Sequence, residues 1–226
     1  MSPEATALVD ATSDRAVGYA DLDARVETLA GRLAAEGVCV DHRVGLLAGS
    51  APRTVAAVHA TMRVGACLVP FSTRLTTAEL RPRLDRADLD VLLCEDSTEE
   101  RALAVAGEDV AVRSLDDPAT DGPAPGPAAA PLSATDPRPF DLPEWDPSDP
   151  LVMLFTSGTT GRPKLVVLTL RNVLASATAS AFRLGTLPGD RWASPLAPSS
   201  MGGLAPVYRT TLYGATLVLT PTDPAD

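Results

Sequence analysis

Lysine, histidine and aromatic residues are scarce in this chain, and each scarcity narrows what the protein can be. Of nineteen basic residues, only Lys164 is a lysine. The chain therefore meets anions mostly through the planar arginine fork, and offers a compact ammonium at a single place. The two histidines, His42 and His59, fall in a turn and in a helical pattern, and neither is assigned a catalytic role. Aromatics make up 4% of the residues, so Ala, Val and Leu must fill the core. No apolar run approaches the roughly 20 residues that cross a bilayer. Met1-Ser2-Pro3-Glu4 lacks the basic start and apolar stretch of a secretion leader. Cys39, Cys67 and Cys94 form no metal-ligand pattern. Each lies beside apolar residues and is expected to be a buried, reduced thiol in a cytoplasmic protein. A net charge of −10 argues against a general nucleic-acid binder.

The one lysine closes the run Thr156-Ser157-Gly158-Thr159-Thr160-Gly161-Arg162-Pro163-Lys164. Small and hydroxylated residues let backbone N–H groups and hydroxyls approach an anion, and an ammonium beside them acts as a point charge on a phosphate. A bare Ser-Gly-Thr cluster would read first as a solvated turn. Here the run is mounted between two apolar segments, Leu151–Phe155 and Leu165–Leu168, each with the length of a strand. The loop is thus expected at the tip of a hairpin. It differs from the nucleotide loop G-x-x-x-x-G-K-[ST], because the spacing fails and Leu165 follows the lysine.

Phe155 to Lys164 resembles the phosphate loop of the adenylate-forming superfamily, which includes acyl-CoA synthetases, luciferases and nonribosomal adenylation domains. The resemblance extends through Tyr19-Ala20-Asp21-Leu22, Asp41-His42-Arg43-Val44-Gly45 and Gly65 to Leu75. Met201-Gly202-Gly203-Leu204, with Arg209 and Leu212-Tyr213-Gly214, looks most like the o-succinylbenzoate–CoA ligases of menaquinone synthesis.

The resemblance implies the N-terminal portion of an ATP-dependent carboxylic acid–CoA ligase, with ATP, Mg²⁺ and coenzyme A as co-substrate. It places the terminal phosphates on Thr156, Ser157, Gly158, Thr159, Thr160, Gly161 and Lys164. It puts Ser200, Met201, Gly202 and Gly203 beside the acyl pocket. Catalytic residues stay unassigned and no metal ligand is identified, because the family's metal-holding acid, ribose-binding aspartate and late lysine have no counterpart here. The portion is expected to be inactive alone. Leu165, Leu170 and Ser200 stand where the family usually has Gly, His and His. These departures favour an alternative, a non-catalytic truncated paralogue or engineered fragment that binds a nucleotide or a partner chain. A small carboxylic acid is the expected partner, with no nucleic acid and no membrane, and with self-association or a partner chain over the truncated face.

Residues 1–115 alternate helix and strand signals. Leu22, Val26, Leu29 and Leu33 give helical spacing up to Gly37. Strands are expected at 44–48, 67–70 and 89–94, with helices at 52–65 and around 78–80, where Pro82 must sit in a first turn or kink the helix. Residues 116–150 are rich in Pro, Ala and Asp and are expected to form an extended linker, with Leu142 and Trp145 docking on the surface. Residues 151–226 form a second α/β segment, with helices expected at 172–184 and 203–213 and strands around 193–196 and 215–219. The fold class is α/β: parallel sheets with crossover helices, the partial N-terminal domain of an adenylate-forming enzyme.

Overall fold

A computed structural model describes residues 2–117, 128–156, 163–187 and 189–220. The chain opens with a hairpin, β1 (Thr6–Asp10) and β2 (Arg15–Gly18), and runs into α1 (Tyr19–Ala35). Then follow β3 (Arg43–Leu47), α2 (Pro52–Arg63), β4 (Cys67–Pro70), α3 (Thr77–Ala87), β5 (Val91–Cys94), α4 (Glu99–Val105) and β6 (Ala111–Ser114). A short strand β7 (Ala130–Pro131) precedes the hairpin β8 (Pro150–Thr156) and β9 (Lys164–Thr169). The last elements are α5 (Leu170–Leu184), β10 (Arg191–Ser194), α6 (Met201–Tyr213) and β11 (Thr216–Leu219).

The strands form a seven-stranded sheet, β7-β6-β5-β3-β4-β8-β9, and a four-stranded sheet, β10-β11-β1-β2. In the larger sheet every pairing is parallel except β8 with β9. The expected parallel sheet with crossover helices is therefore present. The three sequence segments do not map onto sheets, however. The larger sheet takes strands from both sides of residues 116–150, and so does the smaller one.

Strands β4 and β5 are buried on both faces, as strands of a parallel sheet covered by helices must be. Their side chains alternate between two cores. Leu68, Val91 and Leu93 point to the core built with α1, α2 and α6, which also reaches the smaller sheet through Leu8, Val17 and Leu217. Cys67, Val69, Leu92 and Cys94 point to the other core, which includes Leu80 and Leu84 of α3 and Ala102 of α4. Pro82 is the sixth residue of α3, past the first turn, so that position has no N–H to donate to the preceding turn. A capping box offsets this at the start, where Glu79 accepts from both the Thr76 N–H and its hydroxyl.

The proline-rich stretch is more tightly held than an extended linker. Within its described part, Leu132 is buried, and β7 lies at the sheet edge, where proline is tolerated. The Arg138 N–H donates to the Gly31 carbonyl, and Trp145 Nε1 donates to the Met62 carbonyl. Trp145 thus docks as expected, whereas Leu142 is 71% exposed.

Glu36, at the end of α1, ties this stretch to β6. Its carboxylate accepts from Arg113 Nη2 at 2.6 Å and from the Thr135 hydroxyl at 2.6 Å. The Arg113 hydrogen bond holds the carboxyl below its ordinary value of 4.5. Because the folded value is the lower one, this stabilisation is present above about 4.5 and is lost as pH falls through the folded value. Glu36→Gln should cost about 1–3 kcal/mol at neutral pH and leave a shallower acid loss, read from urea melts at neutral and acidic pH. Equal stability of the two proteins at neutral pH would refute this role.

The cysteine expectation needs one correction. Cys67 and Cys94 are buried, and burial pushes both thiols up to about 12. Cys39 is exposed, because it sits in the turn after α1 rather than in a strand. No helix among the described residues is long and apolar enough to cross a membrane.

Candidate functional site

The hairpin expected around the loop is present. Strands β8 and β9 pair antiparallel from Pro150↔Thr169 to Thr156↔Lys164, so Thr156 and Lys164 face each other at the end joined through residues 157–163. The Thr156 hydroxyl donates to the Lys164 carbonyl at 3.5 Å. Both residues are exposed, and the Lys164 ammonium makes no ion pair among the described residues. Ser157, Gly158, Thr159, Thr160 and Gly161 lie outside the described residues. The outgoing end is tied to α3, since Arg86 Nη1 donates to the Pro163 carbonyl at 3.0 Å. Leu165 continues β9 opposite Phe155 and packs on the second core, so a side chain at this position is accommodated in regular strand.

β9 runs directly into α5. Thr169 and Asn172 cap each other there: the Thr169 hydroxyl accepts from the Asn172 N–H, and Asn172 Oδ1 accepts from the Thr169 N–H at 3.0 Å. Leu170, the first residue of α5, packs against the main core. This junction forms one wall of a cavity of about 420 Å³ between β9, α5 and α6, which includes Leu168, Asn172, Ser176, Met201, Gly202 and Arg209. Four residue steps of strand lead from Lys164 to Leu168, a reach of about 13 Å.

Arg209 is the one charged residue of α6. Its Nη2 donates to Ser176 Oγ at 2.8 Å, which leaves most of the guanidinium fork free. Its Nε is buried with no hydrogen-bond partner among the described residues. That atom is enclosed by protein, so the donors left for an anion in the cavity are the Nη groups not engaged by Ser176. A second tie between α5 and α6 runs from the Tyr213 hydroxyl to the Ala177 carbonyl.

The four expected acyl-pocket residues divide into two pairs. Met201 and Gly202 line the cavity. Ser200 and Gly203 are not among its lining residues. Ser200 caps α6, accepting from the Gly203 N–H at 3.3 Å. Gly203 is required by contact, because a Cβ there would overlap the carbonyl oxygens of Leu196 and Ala197. Arg209, Ser176, Asn172 and Arg86 were missing from the expected site. For Arg209 the signal existed: a lone charge in an otherwise apolar helix.

The two histidines stand apart from this cavity. His59 lies in α2, edge-on to Tyr208 and 3.1 Å from the Thr211 hydroxyl. Burial, then the Arg63 charge, lowers it to about 4, so the ring is neutral at physiological pH. His42 occupies the turn before β3. Among the described residues no group of three or more His, Cys, Asp or Glu side chains could hold a metal ion.

The Lys164-bearing strand β9 is the edge strand of a mostly parallel sheet, and the cavity beside it is lined by Arg209. The family model for AMP-binding enzymes matches residues 1–226, and the chain belongs to that family. Its relatives include the 2-succinylbenzoate–CoA ligase of Listeria monocytogenes, 30% identical over 97% of this chain and 42% of the relative. The enzyme of that name from Bacillus cereus is 27% identical over 100% of this chain and 42% of the relative. Among solved structures, o-succinylbenzoate CoA synthetase from Bacillus subtilis in complex with the acyl-adenylate intermediate superimposes with a TM-score of 0.83. It is 27% identical, over 97% of this chain and 42% of that one. The same enzyme has been solved with ATP and magnesium ion, giving a TM-score of 0.82 at 27% identity over 97% of this chain and 55% of that one. The chain thus spans under half the length of these curated relatives.

Proposed function

We propose that this chain is the polyphosphate- and acid-holding part of an ATP-dependent carboxylic acid–CoA ligase. The acid would carry a second anionic group, as 2-succinylbenzoate does. In this reading Thr156, Ser157, Gly158, Thr159, Thr160, Gly161 and Lys164 hold the terminal phosphates of ATP. Met201, Gly202, Ser176 and Arg209 receive the acid, while Ser200 and Gly203 fix the start of α6. The observation that carries the reading is the placement of Arg209, with donors to spare, in a cavity whose wall is the strand that begins at Lys164.

The parent reaction joins a carboxylate oxygen to the α-phosphorus of ATP and releases pyrophosphate. A thiol, coenzyme A, then takes the acyl group and releases AMP. The present residues contribute binding and orientation. The ammonium offsets charge on the polyphosphate, and the guanidinium fork fixes the distal carboxylate, so that a second carboxylate can be aimed toward the nucleotide. When bound, the magnesium of the relative solved with ATP would supply further charge neutralisation on the phosphates.

The test pairs binding with exchange. The chain should bind ATP, yet exchange no labelled pyrophosphate with any member of a carboxylic acid panel. Failure to bind ATP would contradict the assignment. Robust exchange would contradict the view that adenylation needs groups from the remaining length seen in the relatives. A non-catalytic nucleotide-binding or partner-binding role is the second reading, favoured by Leu165, Leu170 and Ser200, each of which serves packing or capping.

A further inference from the structure

A second reactive constellation lies in the turn between α1 and β3. Asp41 adopts the left-handed backbone region at φ 68°, and the His42 N–H donates to the Cys39 carbonyl at 3.2 Å. This turn folds the imidazole back over the thiol, leaving Cys39 Sγ 3.4 Å from His42 Nε2. On the other side of the ring, His42 Nδ1 lies 3.6 Å from Asp90 Oδ1. Asp90 is itself fixed, since its Oδ2 accepts from the Arg43 N–H at 2.7 Å. Thiol and carboxylate therefore flank opposite nitrogens of the imidazole, and the thiol end is exposed. The turn also carries Asp41, and the adjoining charges are Arg43 and Asp88, paired to each other at 3.4 Å.

We infer that Cys39 is a modification site, at which the His42–Asp90 pair generates a thiolate that exchanges with small disulfides. Nδ1 makes no hydrogen bond among the described residues, and the nearby carboxylate acts through charge, favouring the tautomer with the N–H on Nδ1 and Nε2 free to accept. Nε2 takes the thiol proton, and the sulfur then attacks one sulfur of the disulfide. That S–S bond breaks, a new one forms to Cys39, and the second half leaves as a thiolate that picks up the proton. Cys39 is oxidised and half of the disulfide is reduced. The other two thiols are internal controls, because both are buried and held protonated near neutral pH.

The probe is Ellman's aromatic disulfide on the native chain near neutral pH, with the modified residue located by peptide mass. One thiol per chain should react quickly and map to Cys39, and Cys67 and Cys94 should react only after denaturation. His42→Gln and His42→Asn should each slow the fast phase by about tenfold, the scale set by a free thiol being only a few per cent ionised at neutral pH. Circular dichroism checks that the variants keep the fold. An unchanged rate in the folded His42 variants would overturn the inference. So would a fast phase that maps to Cys67 or Cys94.

Discussion

Arg209→Leu should lower the affinity of the chain for 2-succinylbenzoate by about tenfold to a hundredfold, the equivalent of a charge-assisted hydrogen bond of roughly 1.5–3 kcal/mol. The loss comes from the guanidinium Nη donors left over after the Ser176 bond. A carboxylate entering the cavity satisfies those donors, and leucine offers none. A mono-acid of similar size should bind both proteins alike, because the apolar wall of Leu168, Val173 and Met201 is unchanged. Arg209→Lys should recover part of the affinity, since an ammonium supplies charge without the planar fork. The fold should survive, because the Tyr213–Ala177 bond still joins α5 to α6. Titration calorimetry of the three proteins with the dianionic and mono-anionic acids reads all of this. Equal affinity of wild type and Arg209→Leu for the dianion would remove Arg209 from the site.

Much of this architecture could be read from periodicity. The apolar spacing of Leu22, Val26 and Leu33 gave α1, and the two apolar runs flanking the Ser/Thr/Gly loop gave β8 and β9 as a hairpin. Proline at the start of α2 and glycine after α5 and α6 marked helix ends for known steric reasons. What could not be read was pairing at a distance. β1 and β2 are short, half-polar strands, and they are strands because β11, some two hundred residues later, pairs with β1. β6 was missed for a similar reason: alternating buried and half-exposed positions over four residues carry little signal until β5 lies beside them.

The site shows the same division. Lys164 was legible because composition isolates it, and the hairpin placed it where expected. Ser200 and Gly203 were grouped with Met201 and Gly202 because the four are contiguous. In a helix start, contiguous residues point in different directions, so the cap and the close-packed glycine serve the fold while the other two line the cavity. Arg209 reaches the cavity only because α6 packs on α5, which no local pattern encodes. The proline-rich stretch read as a mostly extended linker for a comparable reason. Its anchors are the backbone carbonyls of Gly31 and Met62, which belong to helices far upstream.

In the proposed function Lys164 holds the tail of a nucleotide. Its ammonium stands exposed at the mouth of the β8–β9 hairpin, opposite Thr156, with no carboxylate partner among the described residues. Arg86 holds the backbone next to it at Pro163, so the ammonium extends from an anchored strand. Lysine suits this position better than arginine, because a point charge can serve phosphate oxygens that arrive in more than one geometry. The decisive measurement is equilibrium binding of ATP and of AMP to the wild-type chain and to Lys164→Ala. ATP should bind the variant about tenfold to a hundredfold more weakly, the span of one charge-assisted contact, while AMP, which lacks the terminal phosphates, should bind both proteins alike. ATP bound equally well by both proteins would contradict the account.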